Sequence, residues 1–221
     1  MAIDVGRLKS IPYFAGLSPA ELDSVKQFVF ERAADSGEML LLEGEPADAM
    51  YFVVSGLVKV FKTSSDGKEQ ILSFVRPGES FNEVSVFDGG PNLGSARAVG
   101  PVVLHVFRSK DFEAIVRSYP QVSLNVARVL SQQVRRLASL VEDLSFRHVT
   151  ARVAKILLEY AGDGSGARPR LTQQEMAAMA GTAREMIGRS LRTLEDEGAI
   201  RLERHRIVIA DQKALRELAQ R

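Results

Sequence analysis

The chain has 221 residues, 45% of them hydrophobic, with 29 basic and 28 acidic side chains. That length accommodates one large domain or two small ones; no apolar run reaches the ~18 residues of a membrane-crossing helix, and no charged-then-apolar leader pattern opens the chain, so no membrane partner is expected. There is no cysteine, which excludes disulfides, thiol redox sensing and a cysteine-ligated iron–sulfur cluster and fits a reducing, cytoplasmic setting.

Residues 4–28 carry helix signals. Ser18-Pro19-Ala20-Glu21 is a start signature, with Ser18 as cap, Pro19 at the first position and Glu21 at the third. From Val29 to Arg108 the pattern becomes short alternating runs, such as Met39–Leu42, Met50–Val54, Leu57–Phe61, Gln70–Val75 and Val102–Phe107. Turn residues separate them, including Ser65-Asp66-Gly67, a hairpin signal. Several short strands at regular spacing predict an antiparallel sandwich or barrel. Ser109 is placed as the cap of a short helix ended by Tyr119-Pro120. Residues 121–147 contain no Gly or Pro, and Ala127, Leu130, Val134, Leu137, Val141 and Leu144 step by threes and fours. That narrow stripe predicts a coiled-coil seam between two copies of the chain, the alternative being a long helix buried on its own domain. Residues 146–149 form an expected hinge. The predicted division is 1–119, 120–147 and 148–221.

Residues 171–197 read as a helix-turn-helix. Thr172 with Glu175 makes a capping box, Gly181 ends the first helix, and a second opens near Thr182. Ile187, Leu191 and Leu194 mark the buried side of that second helix; Arg184, Glu185, Gly188, Arg189 and Arg192 mark the other. An arginine fork pairs with guanine and a carboxylate accepts from the cytosine amino group, so this face suits major-groove reading. Gly188 would let the backbone approach DNA. Thr172, Gln174 and Thr182 are placed beside it. The alternative is a solvated amphipathic helix. A short hairpin follows with a basic tip at Arg204, His205 and Arg206, a winged arrangement whose tip would lie on phosphates. Charge agrees: residues 147–221 hold 14 basic and 10 acidic side chains, a balance of +4 against −3 for the rest.

Taken in order, these segments resemble the cyclic AMP receptor protein/FNR (CRP/FNR) family of bacterial transcription regulators. The residues that carry the resemblance are Tyr51-Phe-Val-Val-Ser-Gly-Leu-Val-Lys-Val60, Arg76-Pro-Gly-Glu-Ser-Phe-Asn-Glu-Val84, the long helix, and Gly181-Thr-Ala-Arg-Glu-Met-Ile-Gly-Arg189. The resemblance implies an α+β fold: an N-terminal antiparallel jelly roll like a cyclic-nucleotide-binding domain, a dimerisation helix, and a C-terminal winged helix-turn-helix. It implies that the family's Arg-Glu-x-x-x-Arg pattern falls on Arg184, Glu185 and Arg189, and that Gly188, where FNR-type members have Ser, points to a palindromic TGTGA-like operator. RNA polymerase would be a partner of an activator.

The effector segment departs from the nucleotide-binding pattern. Those members show Phe-Gly-Glu-Leu, whose Gly and Glu cradle the ribose, followed by an Arg that holds the cyclic phosphate. Here the block is Phe81-Asn82-Glu83-Val84, and Asn92-Leu-Gly-Ser-Ala96 stands where the Arg belongs, with Arg97 a few positions late. A buried phosphate without a fixed cation binds at high cost, so tight binding of cyclic AMP is not expected. Phe74, Phe81, Asn82, Glu83, Val84, Ser95, Arg97 and the facing Leu137 are the expected pocket lining. It suits a small organic ligand, or the roll takes no ligand. A cyclic-nucleotide-binding module and a regulator that needs no effector are the alternative readings. A jelly roll also hosts metal-dependent oxygenases through His/carboxylate triads. Residues 29–108 hold one histidine, His105, so neither a catalytic residue nor a metal ligand is assigned.

Overall fold

The computed structural model describes residues 5–160, 171–203 and 206–220. The chain divides into two units, 1–134 and 135–221. The division falls inside the long helix that the sequence set apart as 120–147.

The first unit begins with α1 (Val5–Lys9), a 3₁₀ turn (Pro12–Phe14) and α2 (Pro19–Lys26). Ser18 accepts from Glu21 N while the Glu21 carboxylate accepts from Ser18 N, the reciprocal cap the sequence predicts. Next come β1 (Val29–Ala34), β2 (Met39–Leu41), β3 (Ala49–Ser55), β4 (Val58–Thr63), β5 (Glu69–Val75) and β6 (Ser80–Phe81). α3 (Glu83–Asp88), β7 (Ser95–Ala98), β8 (Val102–Arg108), α4 (Ser109–Ser118) and α5 (Pro120–Phe146) follow. Ser109 is the first residue of α4, not its cap, and no side chain caps that helix.

The strands form two four-stranded sheets, β1-β8-β3-β6 and β2-β7-β4-β5, with every pairing antiparallel. Side chains alternate across a strand, so each sheet has two distinct faces. The space between the sheets is filled by Tyr51, Val53, Phe81, Leu104 and Val106 from one and by Val58, Val75, Ala96 and Ala98 from the other. The outer face of the first sheet carries Met50, Phe52 and Phe107. Helical segments cover it through Tyr13, Phe14, Leu22, Phe112, Ile115, Val122 and Val126.

The second unit holds the rest of α5, then α6 (Val149–Tyr160), α7 (Gln173–Ala180), α8 (Arg184–Asp196), β9 (Ile200–Glu203), β10 (Arg206–Ile209) and α9 (Gln212–Leu218). The break between α5 and α6 lies where the hinge is expected. Among the described residues no helix is long and apolar enough to cross a membrane.

Along α5 the predicted seam splits. Leu130 is half-buried against the first unit's core. Val134, Leu137, Val141 and Leu144 are 65%, 49%, 62% and 39% exposed, so this chain leaves them uncovered. Ala127 is also exposed. Leu124, 57% exposed, extends the stripe one step of three toward the helix start.

Candidate nucleic-acid interface and effector segment

The helix-turn-helix is built by local signals that agree with one another. Thr172 Oγ1 accepts from Glu175 N at 3.1 Å, and Glu175 Oε2 accepts from Thr172 N at 2.7 Å. Gly181 closes α7 at φ 60, ψ 46, the left-handed conformation that costs glycine little. Thr182 N donates to Ala177 O at 3.1 Å and finishes the turn.

α8 starts at Arg184, two residues after the expected opening at Thr182, with Ala183 as its N-cap and no capping side chain. The first-turn amides of a helix lack partners inside it. Here they meet no capping side chain and sit at the positive end of the helix dipole, which suits a phosphate. Ile187, Leu191 and Leu194 are buried at 0%, 2% and 0% exposure. Arg184, Glu185, Arg189 and Arg192 are exposed, as are Thr172 and Gln174, while Thr182 and Gly188 are half-buried. A Cβ placed on Gly188 would meet nothing within 4 Å, so the space beside it is open.

β9 and β10 pair antiparallel in the register Arg206↔Glu203, giving the predicted hairpin. Arg204 and His205 lie outside the described residues. Arg206 is exposed and held by Glu203 at 2.6 Å. Glu195 at the end of α8 accepts from Leu202 N at 2.7 Å, which fixes the hairpin to that helix. Arg201, also exposed, lies on β9 within the same hairpin and was not singled out in the sequence, which marked only the tip. At the hinge, Asp143 pairs with Arg147 Nε at 2.8 Å and with Lys155 of α6, and Lys155 Nζ also donates to Ser139 Oγ at 3.0 Å.

In the first unit the residues expected to line one pocket do not converge. Phe81 faces the roll interior, stacked on Tyr51 with centroids 5.0 Å apart. Asn82 sits at φ 70, in the left-handed region where the nucleotide-binding pattern has glycine. Its Nδ2 donates to Ala49 O at 3.0 Å and to Asn92 Oδ1 at 2.9 Å, and Asn92 Nδ2 donates to Leu42 O at 3.0 Å. Ser95 is buried, its Oγ accepting from Glu43 N at 3.1 Å.

Five of the expected positions are placed as follows. Ala96 and Ala98 face the interior, so Arg97 between them points to the outer face. There it lies 3.5 Å from Glu69 and over the Phe61 ring at 5.2 Å. Phe74 is opposite Lys59, which is opposite Arg97, so Phe74 shares that outer face. Val84 is 37% exposed. Glu83 is 3% exposed, but its Oε1 accepts from Ser80 Oγ and from Tyr13 Oη at 3.1 Å. Ser80 is opposite Phe52, on the helix-covered face, so Glu83 is drawn away from the interior. Leu137 belongs to the exposed stripe of α5, in the second unit.

Comparison with known proteins agrees with this architecture. The family described as "Cyclic nucleotide-binding domain" matches residues 31–119, and "Crp-like helix-turn-helix domain" matches residues 151–218. The chain is 34% identical to a cyclic AMP receptor protein of Thermus thermophilus, over 96% of this chain and 98% of the relative. It is 32% identical to a CRP-like cAMP-activated global transcriptional regulator of Mycobacterium tuberculosis, over 91% of this chain and 93% of that one. Among solved structures, the catabolite activator protein of Thermus thermophilus superposes with a TM-score of 0.56 at 34% identity, covering 95% of this chain and 98% of the other. A CRP/FNR family transcriptional regulator from the same species gives 0.73 at 28% identity, covering 87% and 99%. A jelly roll followed by a winged helix-turn-helix, with homology along nearly the whole length, places this chain in the CRP/FNR family as a DNA-binding transcription regulator and not an enzyme.

Proposed function

We propose that the protein binds a palindromic, TGTGA-like operator as a homodimer in the cytoplasm. Arg184 and Arg189 read guanines and Glu185 accepts from a cytosine amino group. Arg204, His205 and Arg206 contact phosphates, and RNA polymerase is the partner if the protein activates. The observation that carries this reading is α8 itself: one face is buried to within 2% exposure, and the opposite face presents Arg184, Glu185 and Arg189 to solvent. The exposed stripe on α5 supports pairing with a second copy, which would place two such helices on half-sites about one DNA turn apart. Fluorescence anisotropy on a palindromic TGTGA duplex and a scrambled one tests it. Arg189→Ala should lose about 1–3 kcal/mol on the palindrome and tolerate changes at the guanine it reads. Unchanged affinity and preference would overturn the assignment.

The effector is not cyclic AMP at high affinity. The cited relatives are named for cyclic AMP, but Leu93 and Gly94 stand where a phosphate-binding arginine is needed, and Arg97 lies on the outer face of its sheet beside Glu69. Calorimetry with cyclic AMP should show no tight saturable binding; micromolar or tighter binding would reverse this.

A further inference from the structure

Tyr13 ties two parts of the first unit that lie far apart in sequence. Its ring is 0% exposed, set edge-on against Phe52 and Phe112 with centroids 5.5 and 5.8 Å away. Those contacts fix the direction of the hydroxyl, which donates to Glu83 Oε1 at 3.1 Å and lies 3.0 Å from Ser80 Oγ. Glu83 is the first residue of α3, the helix of the effector segment. The Tyr13 backbone carbonyl accepts from Asn125 Nδ2 at 3.0 Å, and the same nitrogen donates to Ala15 O at 2.8 Å. Asn125 is 4% exposed on α5, and its Oδ1 accepts from Gln121 Nε2 and Arg128 Nη1 at 3.2 and 2.8 Å. Both ends of that amide are therefore committed, and its orientation has no competitor.

A buried carboxylate that loses a donor carries a desolvation cost. Glu83 has two hydroxyl donors from its own chain: Ser80, 3 residues before it, and Tyr13, 70 residues before it. Both donors meet Oε1, so the accepting capacity of that oxygen is taken from within the chain. Moving Glu83 back toward the roll interior requires that both bonds break. That would release Tyr13, whose backbone is the anchor of Asn125.

We propose that the Tyr13 hydroxyl is an internal ligand of the effector segment: by holding Glu83 on the helix-covered face, it couples the position of α3 to the stem of α5. The device biases the long helix without a bound small molecule. It rests on the functional reading above only for its effect on DNA.

Hydrogen exchange on the full chain, comparing wild type with Tyr13→Phe, tests the coupling. The phenylalanine keeps the ring contacts and removes one hydroxyl. Exchange at residues 83–88 and at 122–126 should both rise about tenfold, the scale of one hydrogen bond to a charged group, with α7 and α8 unchanged. Opening at 83–88 alone, or no change at either segment, overturns the proposal. Asn125→Ala supplies the reciprocal test should Tyr13→Phe fold poorly: loosening must reach 83–88, and loosening confined to α5 overturns the proposal. Operator affinity of Tyr13→Phe should shift by at least about fivefold relative to wild type; unchanged affinity, with wild type binding normally, overturns the coupling to DNA. A wild-type protein that does not bind the operator would sink the functional reading, and the exchange arms would still decide this one.

Discussion

His105 sits on β8, 1% exposed, between Glu31 and Phe52 on neighbouring strands. Burial lowers its pKa below the ordinary 6.5; the Glu31 charge opposes this and Arg7 adds to it. Below about pH 6.5 the unfolded chain takes a proton that the folded imidazole refuses, so stability falls as pH drops from there toward the folded pKa. Denaturant midpoints at pH 7.5 and 5.5 should show this loss in wild type, and His105→Gln should flatten it; an equal pH dependence in both would rule it out. Gly188 gives a second residue-scale prediction. Its neighbourhood is open, so Gly188→Ala should fold and stabilise α8 by up to about 1 kcal/mol. On the proposed DNA-reading role of α8, operator affinity should nevertheless fall, because the added methyl would stand between the backbone and DNA. A more stable protein with unchanged affinity would remove Gly188 from the interface.

At the scale of the element, α7 and α8 differ in how they begin. α7 has a full capping box at Thr172 and Glu175, and α8 has Ala183 at its N-cap with no capping side chain. Thr172→Ala should cost about 1 kcal/mol, read as roughly fivefold faster exchange of the α7 amides. Ala183→Ser should slow exchange in the first turn of α8 by a similar factor. If both substitutions leave exchange unchanged, the caps are not what sets these helix ends. The same comparison shows what could be read locally. The box at Thr172 is a four-residue signal, and so is the one at Ser18. α3 was not legible: Glu83–Asp88 is a single short helix bracketed by left-handed backbone at Asn82 and Gly89, and its composition serves a turn equally well.

For the whole molecule, the exposed stripe of α5 is the proposed seam between two copies, and its removal tests the oligomeric state. Val134, Leu137, Val141 and Leu144 do not support this chain's own core, so Leu137→Glu with Val141→Glu should leave each copy folded. Sedimentation should then report a monomer, and operator affinity should fall to the non-specific level, since one half-site supplies only part of the contacts. A variant that remains dimeric would move the interface elsewhere.

By itself the sequence determined the helix-turn-helix, its exposed arginines and the long helix with its apolar stripe, because each depends on spacing within a few helical turns. Only the tertiary structure decided which face of a strand looks inward. β7 reads Ser-Ala-Arg-Ala, and alanine is small enough for either side, so the outward placement of Arg97 awaited the pairing with β4. Likewise the bonds joining Glu83, Tyr13 and Asn125 cross separations of 70 and 112 residues. No local preference encodes them; they exist because two sheets and the helices covering them leave a buried carboxylate and a buried amide their partners at those places.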